Sequence, residues 1–110
     1  MVRCRGMLAE MSDPLEPDRC AELLGALAAP ERLQIVRILR DGPKSVSELA
    51  ELVGAAVVNV SHHLGVLRHA GLVRNERKGR CIVYSLSPDV RQPDEHLNLG
   101  CCRLELPRDE

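Results

Sequence analysis

The sequence predicts a mainly α domain carrying a β-hairpin wing, a winged helix–turn–helix, followed by an extended C-terminal tail. Three observations predict it. Between Val46 and Leu72 two short amphipathic runs meet at Gly54, a spacing that fits a helix–turn–helix or an αα-hairpin in a helical core. Directly after them, Leu72 to Leu86 forms two strand-like runs around Lys78-Gly79, which favours the winged form. Beyond Leu86, Pro88, Pro93, Gly100 and Pro107 interrupt any helical period, so that stretch reads as extended. The chain divides accordingly into a flexible segment over 1–14, the winged helix–turn–helix over 15–87 and the tail over 88–110.

One hundred and ten residues make one domain with a modest core. With one Tyr and no Phe or Trp, that core must be built from Leu, Val, Ile and Ala. A core this small favours a dimer, which buries further apolar surface. The net charge of −1 hides an asymmetry: residues 56–86 carry five basic side chains and one acidic, while both flanks are net acidic. Local positive charge of this kind is the electrostatic footprint of a nucleic-acid binder. No run approaches the roughly 18 apolar residues of a membrane span. The N-terminus has Arg3 and Arg5 but not the apolar stretch of a secretion signal. The expected location is therefore cytoplasmic, and the five cysteines are expected as thiols rather than structural disulfides.

The elements follow in order. Met11-Ser12-Asp13 is an alternative start to Met1 or Met7, so Cys4 carries no weight. Pro17 suits the first turn of a helix, with Glu16 and Asp18 at the positive end of its dipole. That helix runs to about Leu27, with Cys20, Leu23, Leu24 and Leu27 as its apolar stripe. Leu23, Leu24 and Leu27 have no other evident place to bury, and with Cys20, read as a small core or interface residue, they are the expected dimer interface. Pro30 opens the next helix and Arg40-Asp41-Gly42-Pro43 stops it. Its apolar residues Leu33, Ile35, Val36, Ile38 and Leu39 cover a broad arc, as in a helix buried on more than one side. Ser45 with Glu48 three residues on forms a capping box for the first helix of the motif. Leu49, Leu52 and Val53 make that helix's apolar face, and Gly54 ends it. The second helix has Val57, Val60, Leu64 and Leu67 as its stripe and closes at Gly71.

Off that stripe lie Asn59, Ser61, His62, His63 and Arg68, a hydrogen-bonding set suited to base edges and phosphates when such a helix enters a major groove. Packing is the simple alternative for the two histidines, which sit about 100° apart on a helix and cannot share one metal. The hairpin brings Arg77, Lys78 and Arg80 to its tip with Arg74 behind them, placed for phosphate contacts beside the groove. On its second strand Ile82, Tyr84 and Leu86 alternate onto one face, and Cys81 is out of phase and expected to face outward.

These residues resemble the ArsR/SmtB family of bacterial repressors, small winged-helix proteins that sense metals or other stresses. The likeness runs from Leu27 to Leu86. It rests on Leu27-Ala28-Ala29-Pro30-Glu31-Arg32-Leu33, Val60-Ser61-His62-His63-Leu64, Val66-Leu67-Arg68, Ala70-Gly71-Leu72-Val73, Lys78-Gly79-Arg80 and Tyr84. The resemblance implies a homodimeric repressor of double-stranded DNA with the first helix in the dimer interface. Three departures matter. Where many members hold a cysteine pair that binds soft metals, this chain has Lys44-Ser45-Val46-Ser47, and neutral hydroxyls are poor ligands for such ions. Where members commonly begin the groove helix with Ser-Gln-Ser, this chain has Ala56-Val57-Val58, which offers no side-chain cap and no bidentate hydrogen bond. Valine can still pack on a thymine methyl. Third, the family's long final helix is replaced by the interrupted tail, leaving Asp94 and His96 as a weak substitute for the metal site that helix can carry.

Cys101-Cys102 is the remaining chemistry. Some members of the resembled family use a vicinal pair near the C-terminus for thiophilic ions. Adjacent residues on a strand point to opposite faces, so the pair needs a turn, which Gly100 allows, and a third thiolate from Cys81, Cys20 or a partner chain. The effector is left unknown, with a thiolate-bound metal or metalloid, or an oxidant, as one candidate. Packing cysteines with a different effector or none are the alternative. A thiol enzyme would need a cysteine at a helix N-terminus or a Cys-x-x-Cys pair, and the sequence has neither. A winged helix that binds proteins instead of DNA remains the competing function, kept open by Ala56-Val57-Val58.

Overall fold

The computed structural model describes residues 15–92 and 96–107. The segment 1–14 with Cys4, together with Pro93 and Asp94 in the tail, lies outside the described residues.

The described residues hold four helices: α1 (Pro17–Ala26), α2 (Pro30–Leu39), α3 (Val46–Val53) and α4 (Val57–His69). Proline occupies the first turn of α1 and of α2, where its missing N–H costs no helical hydrogen bond. The capping box of α3 forms: the Glu48 N–H donates to Ser45 Oγ at 3.1 Å and the Ser45 N–H donates to Glu48 Oε1 at 2.8 Å. Gly54 ends the helix at φ 79°, a conformation that side chains with a Cβ disfavour. Just ahead of α3, β1 (Lys44–Ser45) pairs with β3 (Cys81–Leu86), which in turn pairs with β2 (Val73–Lys78), giving the sheet order β1-β3-β2. The two-residue β1 has no periodicity to read and was not expected. In the wing the register joins Lys78 to Cys81, so the turn is Gly79-Arg80, one residue later than Lys78-Gly79. Gly79 at φ 63° takes the first loop position, where a type II′ hairpin needs positive φ.

The core gathers Ile35, Val36 and Leu39 of α2, Leu49 and Ala50 of α3, Val60, Leu64 and Leu67 of α4, and Leu72, Val73 and Leu86 of the sheet. Several apolar residues leave the faces assigned to them, among them Leu33 of α2 and Ile82 of β3. Leu52 is 55% exposed and Val57 is 50% exposed, because the core reaches only Leu49 and Ala50 of α3 and starts on α4 at Val60.

The stripe of α1 also differs from expectation. Cys20, Leu23 and Leu27 are buried within the chain itself, joined by Ala26. They bury against the tail and the helical body, a place the sequence did not reveal. Leu24, 41% exposed, is the one of the four with substantial surface left for a partner.

The tail is extended, as read, and folds into a second hairpin, β4 (His96–Asn98) with β5 (Arg103–Glu105). Leu97 and Leu99 are buried in the main core, with Leu104 and Leu106 packed partly against it. Ser87 fixes the exit from the sheet: its Oγ donates to the Gly71 carbonyl at 2.7 Å and its N–H to the Leu72 carbonyl at 3.0 Å.

Candidate nucleic-acid interface and cysteine cluster

On α4 the buried line of Val60, Leu64 and Leu67 fixes which side chains turn outward. Asn59, Ser61, His62 and Arg68 are all exposed. Val58 is 76% exposed, and Ser61, His62, Gly65, Val66 and His69 line one shallow surface concavity. His69 was missed by the sequence reading. The signal available was its spacing of seven from His62, two turns along one helical face. Arg68 and His69 lie in the last turn, where positive charge also complements the helix dipole.

His63 does not share this face. It is half-buried against α2, with Nδ1 3.1 Å from Arg32 Nη1 and Nε2 3.9 Å from Glu31 Oε1. Facing a guanidinium that donates, Nδ1 is the acceptor, which leaves the ring proton on Nε2 toward Glu31. Arg32 also donates from Nε to the Ala26 carbonyl at 2.6 Å. It therefore ties the end of α1, the start of α2 and the middle of α4 together. His63 is thus packed against α2, and its sequence neighbour His62 faces solvent because adjacent helical residues diverge by about 100°.

The wing presents Arg74, Arg77, Lys78 and Arg80 in exposed positions. Lys78 Nζ lies 3.9 Å from Glu76 Oε1, which offsets part of its charge. Among the described residues Arg77 and Arg80 have no ion pair, so these two carry the uncompensated positive charge of the tip. Cys81 is exposed and free, as its phase on β3 implied.

At the other end of the body, Gly100 at φ 89° begins the turn of the tail hairpin, and the Leu99 N–H donates to the Cys102 carbonyl at 2.9 Å. The Gly100 N–H donates to Asn98 Oδ1 at 2.9 Å. This turn keeps the adjacent sulfurs from diverging: Cys101 Sγ and Cys102 Sγ are 3.9 Å apart. It also carries Cys101 onto α1, where Cys101 and Cys20 form a disulfide with a Cα–Cα distance of 5.9 Å, within the span such a bond requires. That corrects the expectation of five free thiols. The Sγ atoms of Cys20, Cys101 and Cys102 all lie within 4.8 Å of one another.

A polar link joins this cluster to α4. Arg19, next to Cys20, donates from Nη2 to the Ala70 carbonyl at the C-cap of α4 at 2.8 Å, and from Nη1 to Glu22 Oε1 at 2.7 Å. No single helix among the described residues is long and apolar enough to cross a membrane.

The family model for bacterial regulatory proteins of the arsR family matches residues 29–75. The chain is 46% identical over 100 residues to the HTH-type transcriptional regulator NmtR of Mycobacterium tuberculosis, covering 81% of this chain and 83% of that protein. It is 42% identical over 80 residues to the HTH-type transcriptional repressor SmtB of the same species, covering 73% of this chain and 55% of the relative. Among solved structures it is similar to the homodimeric winged helix–turn–helix DNA-binding domain Mb0332 of Mycobacterium bovis. There the TM-score is 0.62 at 28% identity, over 77% of this chain and 73% of that one.

Proposed function

Because this chain belongs to the arsR family of bacterial regulatory proteins, we propose that it is a homodimeric transcriptional repressor whose grip on DNA is set by the cysteines of its tail. It is a DNA-binding regulator, and its body over 15–87 does the binding. The observation that carries the reading is the succession of two exposed surfaces, the outward face of α4 and the exposed basic tip of the wing directly after it.

In this reading α4 lies in the major groove. Asn59 reads a base edge, with Ser61 and His62 beside it, and Val57 and Val58 pack on thymine methyl groups. Arg68 and the wing residues Arg77, Lys78 and Arg80 bind phosphates and set the register. His63 supports α4 from behind. Two such faces must meet successive grooves about one helical turn apart, so the dimer geometry controls affinity. Leu24 on α1 is the anchor of that dimer, and the regulator works in the cytoplasm.

The tail over 88–110 is the effector segment. Cys101 and Cys102 take a thiophilic metal or metalloid, or respond to an oxidant, and the change passes through α1 to the dimer and through Arg19 to α4. The cysteines thus serve sensing, and no catalytic role is assigned to them. The exposed Val57 and Val58 favour a second reading, a winged helix that binds a protein partner. Selection of bound fragments from a random duplex library decides between them. Repressor function predicts enrichment of an inverted repeat and steep loss of affinity with salt. A protein-binding module would enrich nothing.

A further inference from the structure

We infer that Cys20, Cys101 and Cys102 form one three-sulfur site with two mutually exclusive states: a Cys20–Cys101 disulfide beside a lone Cys102 thiol, or a trithiolate closed around a three-coordinate thiophilic ion such as trivalent arsenic. The inference rests on the effector reading above and names its ligand class, its third ligand and its gate.

Geometry carries it. The sulfurs come from two places, α1 and the turn of the tail hairpin, and the three lie within 4.8 Å of one another. Two thiolates held at about 2.3 Å from one ion sit at most roughly 3.8 Å apart at tetrahedral or narrower angles, so Cys101 and Cys102 at 3.9 Å need close only a little. Cys20 is buried while Cys101 and Cys102 are half-buried, so a small species reaches the site from the turn. Among the described residues no histidine or carboxylate joins the cluster. Three soft donors and no fourth suit a pyramidal, three-coordinate ion better than tetrahedral zinc.

The two states exclude each other because a disulfide sulfur has no thiolate to offer. A peroxide closes the gate: it takes two electrons from the thiols of Cys20 and Cys101, the S–S bond forms, the O–O bond breaks, and the released protons leave with the oxygens as two waters. A dithiol reopens it, transferring two electrons and two protons to the pair and becoming a cyclic disulfide. Arsenous acid then binds without electron transfer. Each S–H proton leaves with one arsenic hydroxide as water, and three As–S bonds replace three As–O bonds. Cys102 distinguishes the states, since it is a ligand in one and a bystander in the other. Cys81, exposed on the wing, takes part in neither.

The test uses the full chain and sodium arsenite as the probe, with bound arsenic measured by elemental mass spectrometry after gel filtration and the disulfide by intact mass. Reduced protein is expected to hold one arsenic per chain and then to resist peroxide closure of the Cys20–Cys101 bond, whereas peroxide-treated protein holds none. Cys102→Ser is expected to form the disulfide normally but to bind arsenite at least about tenfold more weakly, a loss of about 1.4 kcal/mol. Cys81→Ser should behave as wild type. The inference is overturned if the oxidised chain binds arsenite as tightly as the reduced one, if reduced protein binds none, or if Cys102→Ser binds it undiminished. The oxidised-against-reduced comparison needs no substitution, so misfolding of a variant does not blunt the test. No step uses DNA, so failure here leaves the DNA-binding reading to its own experiment.

Discussion

The wing offers the most quantitative prediction. Arg77 and Arg80 stand exposed at its tip with no ion pair among the described residues, while Lys78 shares its charge with Glu76 at 3.9 Å. Each phosphate contact releases counterions and contributes about 0.9 to the slope of log affinity against log salt. A homodimer loses two contacts per substitution, so Arg77→Ala or Arg80→Ala should each flatten the slope by about 1.8. Between 50 and 200 mM salt, that makes the fall in affinity roughly twelvefold smaller than for the wild type. Lys78→Ala should flatten the slope less, because part of the Lys78 charge is already offset by Glu76. Fluorescence anisotropy on labelled duplexes, titrated at several salt concentrations, reads the slopes directly. Weakening should be uniform across sequences, since phosphates carry no sequence information. Wing variants that altered sequence preference while leaving the slope intact would refute the division of labour between wing and groove helix.

Three further outcomes are expected. Leu24→Glu places a charge on the one well-exposed leucine of α1 and should give monomers in sedimentation velocity with operator binding abolished; a variant that stays dimeric would place the interface elsewhere. Asn59→Ala should narrow the affinity gap between the selected site and random DNA by about 1–3 kcal/mol, measured by competition, with the salt slope unchanged. Glu48→Ala should lower the thermal midpoint near neutral pH, because the Ser45 backbone and side-chain hydrogen bonds, aided by Lys44, hold the Glu48 carboxyl below its ordinary value. With a folded-state pKa below the unfolded one, that support is complete above the unfolded value and is lost as pH falls through the folded value. The gap between variant and wild type should therefore close in acid.

Local rules made much of this fold legible before any coordinates. Ser45 with Glu48, Gly54 and the Pro17 and Pro30 helix starts each act within a few residues, and each stands where the sequence placed it. So does the absence of a helical period around Gly100. What escaped depends on neighbours distant in sequence. Cys20 meets Cys101 across 81 residues, and no spacing rule singles it out from Cys81 or a partner chain, the other candidates for the tail pair. The same packing buries Leu23 and Leu27 in the chain and leaves Leu24 outside. His62 and His63 have equal polarity and point about 100° apart, and the approach of α2 with Arg32 decides which of the two directions is packed. Val57 satisfied the helical period but lies beyond the edge of the core, where periodicity continues and burial does not.

Control of the DNA-binding body from the cysteine cluster is tested most directly by the affinity of the reduced dimer for its selected duplex, measured before and after a single equivalent of arsenite. A ligand that prefers one of two dimer geometries by about 1.4 kcal/mol changes DNA affinity tenfold, and closing three sulfurs of α1 and the tail around one ion should exceed that. The expected result is a loss of at least about tenfold, absent in Cys102→Ser. Full occupancy of the three sulfurs by arsenic with DNA affinity unchanged would contradict it.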